Sequence, residues 1–220
     1  MVGRQPGSTV AFSAHAVQSL SAVRPDDKTR PEYVAAFRKL ALRIAASLRD
    51  VPAAALPIRM YVAGGAAVHF YTGERVSRDI DAAFSRRIAL PEDLDVSYLD
   101  ADGHARILYF DRQYNDTLGL THEDARDDSV ALSIDGIDPA VLDIRLLSPL
   151  DLAISKLSRF SEQDRDDILQ LARHQRISAA DLRQRATEAL AGYVGSVERI
   201  RGSIDMACSM VDDVERRKRL

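Results

Sequence analysis

The stretch Tyr61–Phe84, YVAGGAAVHFYTGERVSRDIDAAF, decides how this chain is read. An apolar run enters the pair Gly64, Gly65, and the segment closes on Asp79, Ile80, Asp81. In an extended strand side chains alternate faces, so Asp79 and Asp81 point the same way, about 7 Å apart, while Ile80 points into a core. Mg²⁺ binds one or two protein carboxylates together with waters and substrate phosphate oxygens. A glycine pair just upstream leaves room for a triphosphate to approach backbone N–H groups at a helix start. The pattern therefore suits phosphoryl or nucleotidyl transfer. In isolation, Asp-x-Asp is most often a solvated face of an edge strand and Gly-Gly a plain tight turn, so the rest of the chain has to decide.

Working outward, Pro57 to Ala63 reads as a buried strand, Gly65 to Tyr71 as a short helix stopped by Gly73, and Arg78 to Phe84 as the strand bearing the carboxylates. Upstream, Tyr33, Val34, Phe37, Leu40, Ile44 and Leu48 recur at helical spacing behind Pro31, a favourable first-turn residue. Downstream, Asp95 to Leu99 and Ala105 to Phe110 flank an Asp102-Gly103 turn and predict a hairpin. A second hairpin is expected around Asp135 and Gly136. Its outgoing arm, 140 to 147, sets Val141, Asp143 and Arg145 on one face and Leu142, Ile144 and Leu146 on the other. From Pro149 the pattern is helical to the end, in segments 150–160, 162–174, 179–194 and 197–216, with Ser148 and Ser178 as N-caps. The domain expectation is a flexible arm over 1–30, a core over 31–150, and a helical region over 151–220 packed on it.

Two blocks of this sequence carry a resemblance. GGAAVHFYTGERVSRDIDAAF resembles the signature of the nucleotidyltransferase superfamily with a DNA polymerase β-like fold, and Gly64, Gly65, Ala67, Tyr71, Gly73, Arg75, Ser77 and RDIDAAF are similar to the AbiEii-like toxin and DUF6036 nucleotidyltransferase families. SPLDLAISKLSRFSEQDRDDILQLA, with Lys156, Arg159, Asp164 and Asp167, is similar to their second block. The resemblance covers residues 58 to 174. It implies an α+β (mixed α/β) fold, with a polymerase β-like core, a small mixed sheet and a C-terminal helical bundle.

It also implies roles. Asp79 and Asp81 would hold two Mg²⁺ ions, with Asp143 as a third ligand from a neighbouring strand. Gly64, Gly65, Ser77, Arg78 and Lys156 would contact the NTP, and Asp164 would join Asp79, Asp81 and Lys156 as a catalytic residue, with Asp167 as its structural partner. Each residue also has a plainer reading: a solvated Lys156, or Asp164 and Asp167 as first-turn acids opposing a helix dipole. His69 reads as a packing histidine. The activity implied is transfer of NMP from an NTP to an acceptor such as a tRNA 3′ end, by the toxin of a toxin–antitoxin or phage-defence pair that a cognate antitoxin protein would neutralise. The alternatives are transfer to a small molecule or protein hydroxyl, and a non-catalytic nucleotide-binding module.

Composition agrees with an ordinary folded domain. The 220 residues are 46% hydrophobic and 29% charged, with a formal net charge of −3. A global basic field for nucleic acid is excluded, though a local patch is not. The single cysteine, Cys208, has no disulfide partner within the chain. Neither a signal peptide nor a membrane segment is evident, so a cytoplasmic location is expected.

Overall fold

The computed structural model describes residues 22–24, 28–115 and 119–219. Most of the expected arm lies outside these residues. Where it is described it is docked: Val23 forms a parallel bridge to Leu132, and the Arg30 N–H donates to Nε2 of His69 at 3.1 Å.

The elements run α1 (Pro31–Ser47), β1 (Ile58–Val62), α2 (Gly64–Thr72), β2 (Asp79–Ile80), β3 (Ala82–Phe84), β4 (Asp95–Leu99), β5 (Ala105–Phe110), β6 (Val130–Ala131), β7 (Leu142–Leu146), α3 (Pro149–Ser155), α4 (Glu162–Arg173), α5 (Ala179–Ala189) and α6 (Val197–Lys218). They form a mixed α+β fold with two small sheets. One has the order β3-β1-β7-β6, with β1 and β7 parallel and the outer pairs antiparallel. The other has the order β2-β5-β4, with β2 parallel to β5 and the β4–β5 hairpin antiparallel.

The apolar stripe of α1 explains its seat. Tyr33, Phe37, Leu40 and Ile44 are all fully buried, and the helix packs on β4 and β5. In α2 every residue from Gly65 to Thr72 is buried, as a helix that is apolar on all sides must be. His69 fits there because its ring is spent. Nε2 accepts from the Arg30 amide, which leaves Nδ1 protonated to donate to the Arg75 carbonyl at 2.6 Å. The strand periodicity of β7 is realised as read, with Leu142, Ile144 and Leu146 buried and Asp143 and Arg145 on the other face.

Two expectations are corrected. The strand foreseen over 78–84 is broken at Asp81: β2 pairs with β5, β3 pairs with β1, and the chain changes sheets between them. The helix foreseen over 150–160 stops at Ser155, because Phe160 takes a positive φ of 49° and Ser161 opens α4 with a capping box to Asp164.

Behind the core, α6 packs on both α4 and α5, α3 packs on α4 and α5, and α3 and α4 both reach α2. A buried ion pair fastens this bundle. Asp151 in the first turn of α3 accepts from Arg185 of α5 at 2.9 and 3.0 Å, and Arg185 also reaches Asp128 at 2.6 Å. No helix among the described residues is long and apolar enough to cross a membrane.

Gly73 ends α2 in the left-handed region, with φ 73°, and a Cβ there would stand 2.1 Å from the Lys28 carbonyl oxygen. A Gly73→Ala variant should therefore lose about 2–3 kcal/mol, from backbone strain plus displacement of the 28–30 segment. Urea unfolding followed by circular dichroism measures it; an unchanged midpoint would contradict the constraint.

Candidate functional site

The switch at Asp81 builds the site. Parallel pairing of β2 with β5 sets Asp79 opposite Tyr109 and Ile80 opposite Phe110. The next step of the same register brings Asp111 beside Asp81, and the Asp111 N–H donates to the Ile80 carbonyl at 3.1 Å. Asp79, Asp81 and Asp111 line one cavity of about 750 Å³. The Ala63 N–H donates to the Asp81 carbonyl at 2.8 Å, which fixes this corner to the end of β1 from which α2 departs.

Gly64 and Gly65 serve different contacts. Gly64 has φ 58°, and a Cβ on it would lie 1.8 Å from Oδ2 of Asp81, so the Asp81 carboxylate occupies the space a side chain would need. A Cβ on Gly65 would meet Nε of Arg75 at 2.6 Å. The bare backbone at the start of α2 thus has a carboxylate against one glycine and a guanidinium against the other.

The opposite wall is cationic and braced from below. Nζ of Lys156 lies 2.6 Å from Oδ2 of Asp167, and the Arg75 guanidinium donates to that same oxygen. Arg159 holds Asp164 with two hydrogen bonds of 2.7 Å, while Ser161 donates to Asp164 through its N–H at 3.0 Å and its hydroxyl at 2.7 Å. Asp164 and Asp167 are 1% and 0% exposed. They are acids that position Lys156, Arg75 and Arg159. Burial would raise the Asp164 carboxyl, but the hydrogen bonds from Arg159 and Ser161 outweigh it and set the pKa at about 2.

The acidic wall behaves the other way. Burial first, then repulsion from Asp79 and Asp111, raises the Asp81 carboxyl to about 6. Three carboxylates with partly uncompensated charge are a hard, all-oxygen donor set, and this fits Mg²⁺. A second oxygen-rich cluster, Asp100, Asp102 and His104, sits at the turn of the β4–β5 hairpin outside the cavity. Its members serve the turn: Asp100 accepts from the Asp102 and His104 amides and from Arg106.

Of the residues singled out from sequence, Gly64, Gly65, Asp79, Asp81, Lys156 and Asp164 line the cavity together. Asp143 does not. It stands in register with Arg59, near the start of β1, about four residues or ~13 Å along the strand from the Ala63–Asp81 corner. There it pairs with Arg59 at 3.6 Å and Arg145 at 3.4 Å. Ser77 and Arg78 also miss the cavity and line a separate cleft, although the Ser77 hydroxyl donates to Oδ1 of Asp79. Asp111 and Arg75 went unassigned in the sequence. Asp111 has a faint signal there, a carboxylate directly after a strand, but its neighbour β2 is not readable from the hairpin pattern. Arg75 stands within the motif block without anything to show that it would fold back on Gly65.

A family model described as a nucleotidyltransferase of unknown function (DUF6036) matches residues 39–203. The chain belongs to that family. The match takes in both motif blocks and every cavity residue named above, and the mixed α+β architecture is that of a polymerase β-like nucleotidyltransferase core with a helical C-terminal bundle. Neither a curated protein nor a solved structure matches.

The raised Asp81 pKa has a stability consequence. Between roughly pH 4 and 6 the folded protein holds a proton that the unfolded chain releases, so stability falls as pH rises through that window, and the penalty is fully present above about pH 6. Asp81→Asn should accordingly stabilise the metal-free protein at pH 8 by on the order of 1–2 kcal/mol, discounted for partial exposure, with the gain vanishing below about pH 4. Thermal midpoints of the two proteins across pH test this, and a gain independent of pH would refute it.

Proposed function

We propose that this DUF6036 chain transfers a nucleoside monophosphate from an NTP to an acceptor hydroxyl, with Mg²⁺ held by Asp79, Asp81 and Asp111. The observation that carries this reading is one cavity with two walls of opposite sign: three carboxylates on one side, and Lys156, Arg75 and Arg159 on the other. Bound at the carboxylates, Mg²⁺ would neutralise phosphate charge and make the acceptor hydroxyl more acidic.

In the reaction the acceptor oxygen forms a bond to the α-phosphorus, the bond from that phosphorus to the β-bridging oxygen breaks, pyrophosphate leaves, and the hydroxyl proton passes to solvent or a carboxylate. The protein's part is placement and charge. Lys156 and Arg75 are held at fixed positions by Asp167 and oppose the charge of the triphosphate. Arg159, clamped by Asp164, does the same from the start of α4. At the start of α2 the missing side chains of Gly64 and Gly65 let the Asp81 carboxylate and the Arg75 guanidinium close on the backbone, so a metal at Asp81 and a phosphate on Arg75 would both stand beside the helix start.

The acceptor proposed is RNA, such as a tRNA 3′ end, and the biological role that of a toxin neutralised by a cognate protein. Both rest on the resemblance to AbiEii-like toxin families. A binding-only module is disfavoured because the full acidic set and its cationic counter-wall are present in one cavity.

Purified protein incubated with Mg²⁺, each labelled NTP in turn, and total bacterial RNA and protein should place label on RNA of tRNA size, and an Asp79→Ala, Asp81→Ala double variant should place none. Label on protein would move the acceptor to protein hydroxyls, and NTP binding without transfer would remove the catalytic reading. Among single variants, Asp111→Asn should lose about 100-fold or more in rate, while Asp143→Asn should stay within about threefold. Equal losses in the two would overturn the placement of the third carboxylate.

A further inference from the structure

Behind Asp79 lies a second, smaller cleft of about 280 Å³, between the start of α1, the 74–78 segment and the β4–β5 hairpin. Part of its polar lining is unsatisfied. Among the described residues the hydroxyl of Tyr33, a residue fully buried, has no hydrogen-bond partner, and Oε1 of Glu32 is buried without one. Among the described residues nothing pairs with the guanidinium of Arg30 or Arg78, whereas Arg106 is spent on Asp100 at 2.7 Å and Glu74 on His174 at 2.7 Å. The first turn of α1 faces this cleft without a side-chain cap from Arg30, and Pro31 has no N–H to give. The amides of Glu32 and Tyr33 therefore add to the donors.

These groups ask for a particular chemistry. Two unpaired guanidiniums, a hydroxyl and helix-start amides call for an anion of phosphate type. Glu32 would repel a bare anion, so the occupant must also bring a hydrogen-bond donor. Val76 and Ile107, 37% and 54% exposed, and the ring of Tyr98 form an apolar rim that a flat ring can cover. We propose that this cleft binds a nucleoside monophosphate moiety, with its phosphate on Arg30, Arg78 and the Tyr33 hydroxyl, and a hydroxyl or amino donor toward Glu32. The same moiety can come from a free nucleotide or from a nucleotide of an acceptor strand.

The cleft is wired to the main cavity. Ser77 and Arg78 line the cleft, Asp79 lines the cavity, and the Ser77 hydroxyl donates to the Asp79 carboxylate. Burial pushes the Tyr33 hydroxyl up, and the charges of Asp79 and Asp81 contribute to that shift, so the two sites lie within electrostatic reach of each other.

Titration calorimetry of the whole chain in EDTA, with AMP, CMP, GMP and UMP and with the 5′-phosphorylated ribodinucleotide pCpA, tests the assignment. Saturable binding of at least one is expected, with amide chemical-shift changes at 30–33, 76–78 and 106–107. Arg30→Ala and Arg78→Ala should each weaken it about tenfold or more. Tyr33→Phe removes only the unpartnered hydroxyl; it should keep its thermal midpoint and still lose affinity. Tighter binding of pCpA with the same shifts would identify an acceptor strand as the source, and equal or weaker binding a free nucleotide. Absence of saturable binding, shifts confined to 79–81 and 156, or variants that bind like the wild type would overturn the proposal. Neither Mg²⁺ nor NTP is present, so the result stands apart from the fate of the transfer reaction.

Discussion

The carboxylates of Asp79, Asp81 and Asp111 meet where the chain passes from one sheet to the other, and their mutual repulsion is the constraint that the surrounding structure answers. Burial and the charges of Asp79 and Asp111 act together on Asp81, and like charges in a partly buried site are screened far less than in water. One answer is protonation, seen in the raised pKa of Asp81. The other is the wall of Lys156, Arg75 and Arg159. Lys156 and Arg75 would themselves be costly to bury and Asp167 offsets them, while the more exposed Arg159 is anchored by Asp164. The layering is carboxylate, cation, carboxylate from one side of the cavity into the bundle, and among the described residues the first layer forms no ion pair. That asymmetry favours a cation entering with the substrate.

Much of this was legible in the sequence, and the reason lies in period. α1, β7 and the helices from 149 onward show apolar positions at 3.6 or 2.0 residues, so their existence and faces follow from the order of residues, while α2 and β1 read as continuous apolar runs between Pro57 and Gly73. The glycine pair and Asp79-Ile80-Asp81 were readable because chemistry needs those residue types at that spacing. What failed to show was pairing. Alternation puts Asp143 on the polar face of β7 correctly, but its distance from the site depends on register with β1, and Arg59 opposite it is no signal of that. Asp111 is the converse case. β5 is visibly the second arm of a hairpin, yet its other edge pairs with a two-residue strand too short to announce itself.

Asp164 and Asp167 illustrate a different limit. From sequence, acids in the first turns of α4 can oppose the helix dipole, cap the helix or face a substrate. The structure gives Asp164 one of these tasks and adds another, since the carboxylate that caps α4 through Ser161 also clamps Arg159. Asp167 neither caps nor faces solvent; it bridges Lys156 and Arg75, which are 81 residues apart in the chain. Helix α4 is thus less a source of substrate contacts than the anvil on which cations from two other segments are set. Its position under α2 lets a single buried oxygen do this.

The segment from Arg75 to Asp79 divides its side chains between two concavities. Arg75 and Asp79 enter the main cavity, and Val76, Ser77 and Arg78 line the smaller cleft behind it. Five residues of extended chain thus form a thin partition with chemistry on both faces. The Ser77 hydroxyl donates across it, and Ile80 anchors its end in the core at 0% exposure. A partition so thin cannot shift on one face without moving the other. The Asp79 carboxylate accepts from the Ser77 hydroxyl, and the Asp79 backbone is paired with β5. Arg78, which lines the cleft, is thus the chain neighbour of Asp79, which lines the main cavity. The geometry that makes two close-set carboxylates available to a cation also makes their placement sensitive to the cleft behind them.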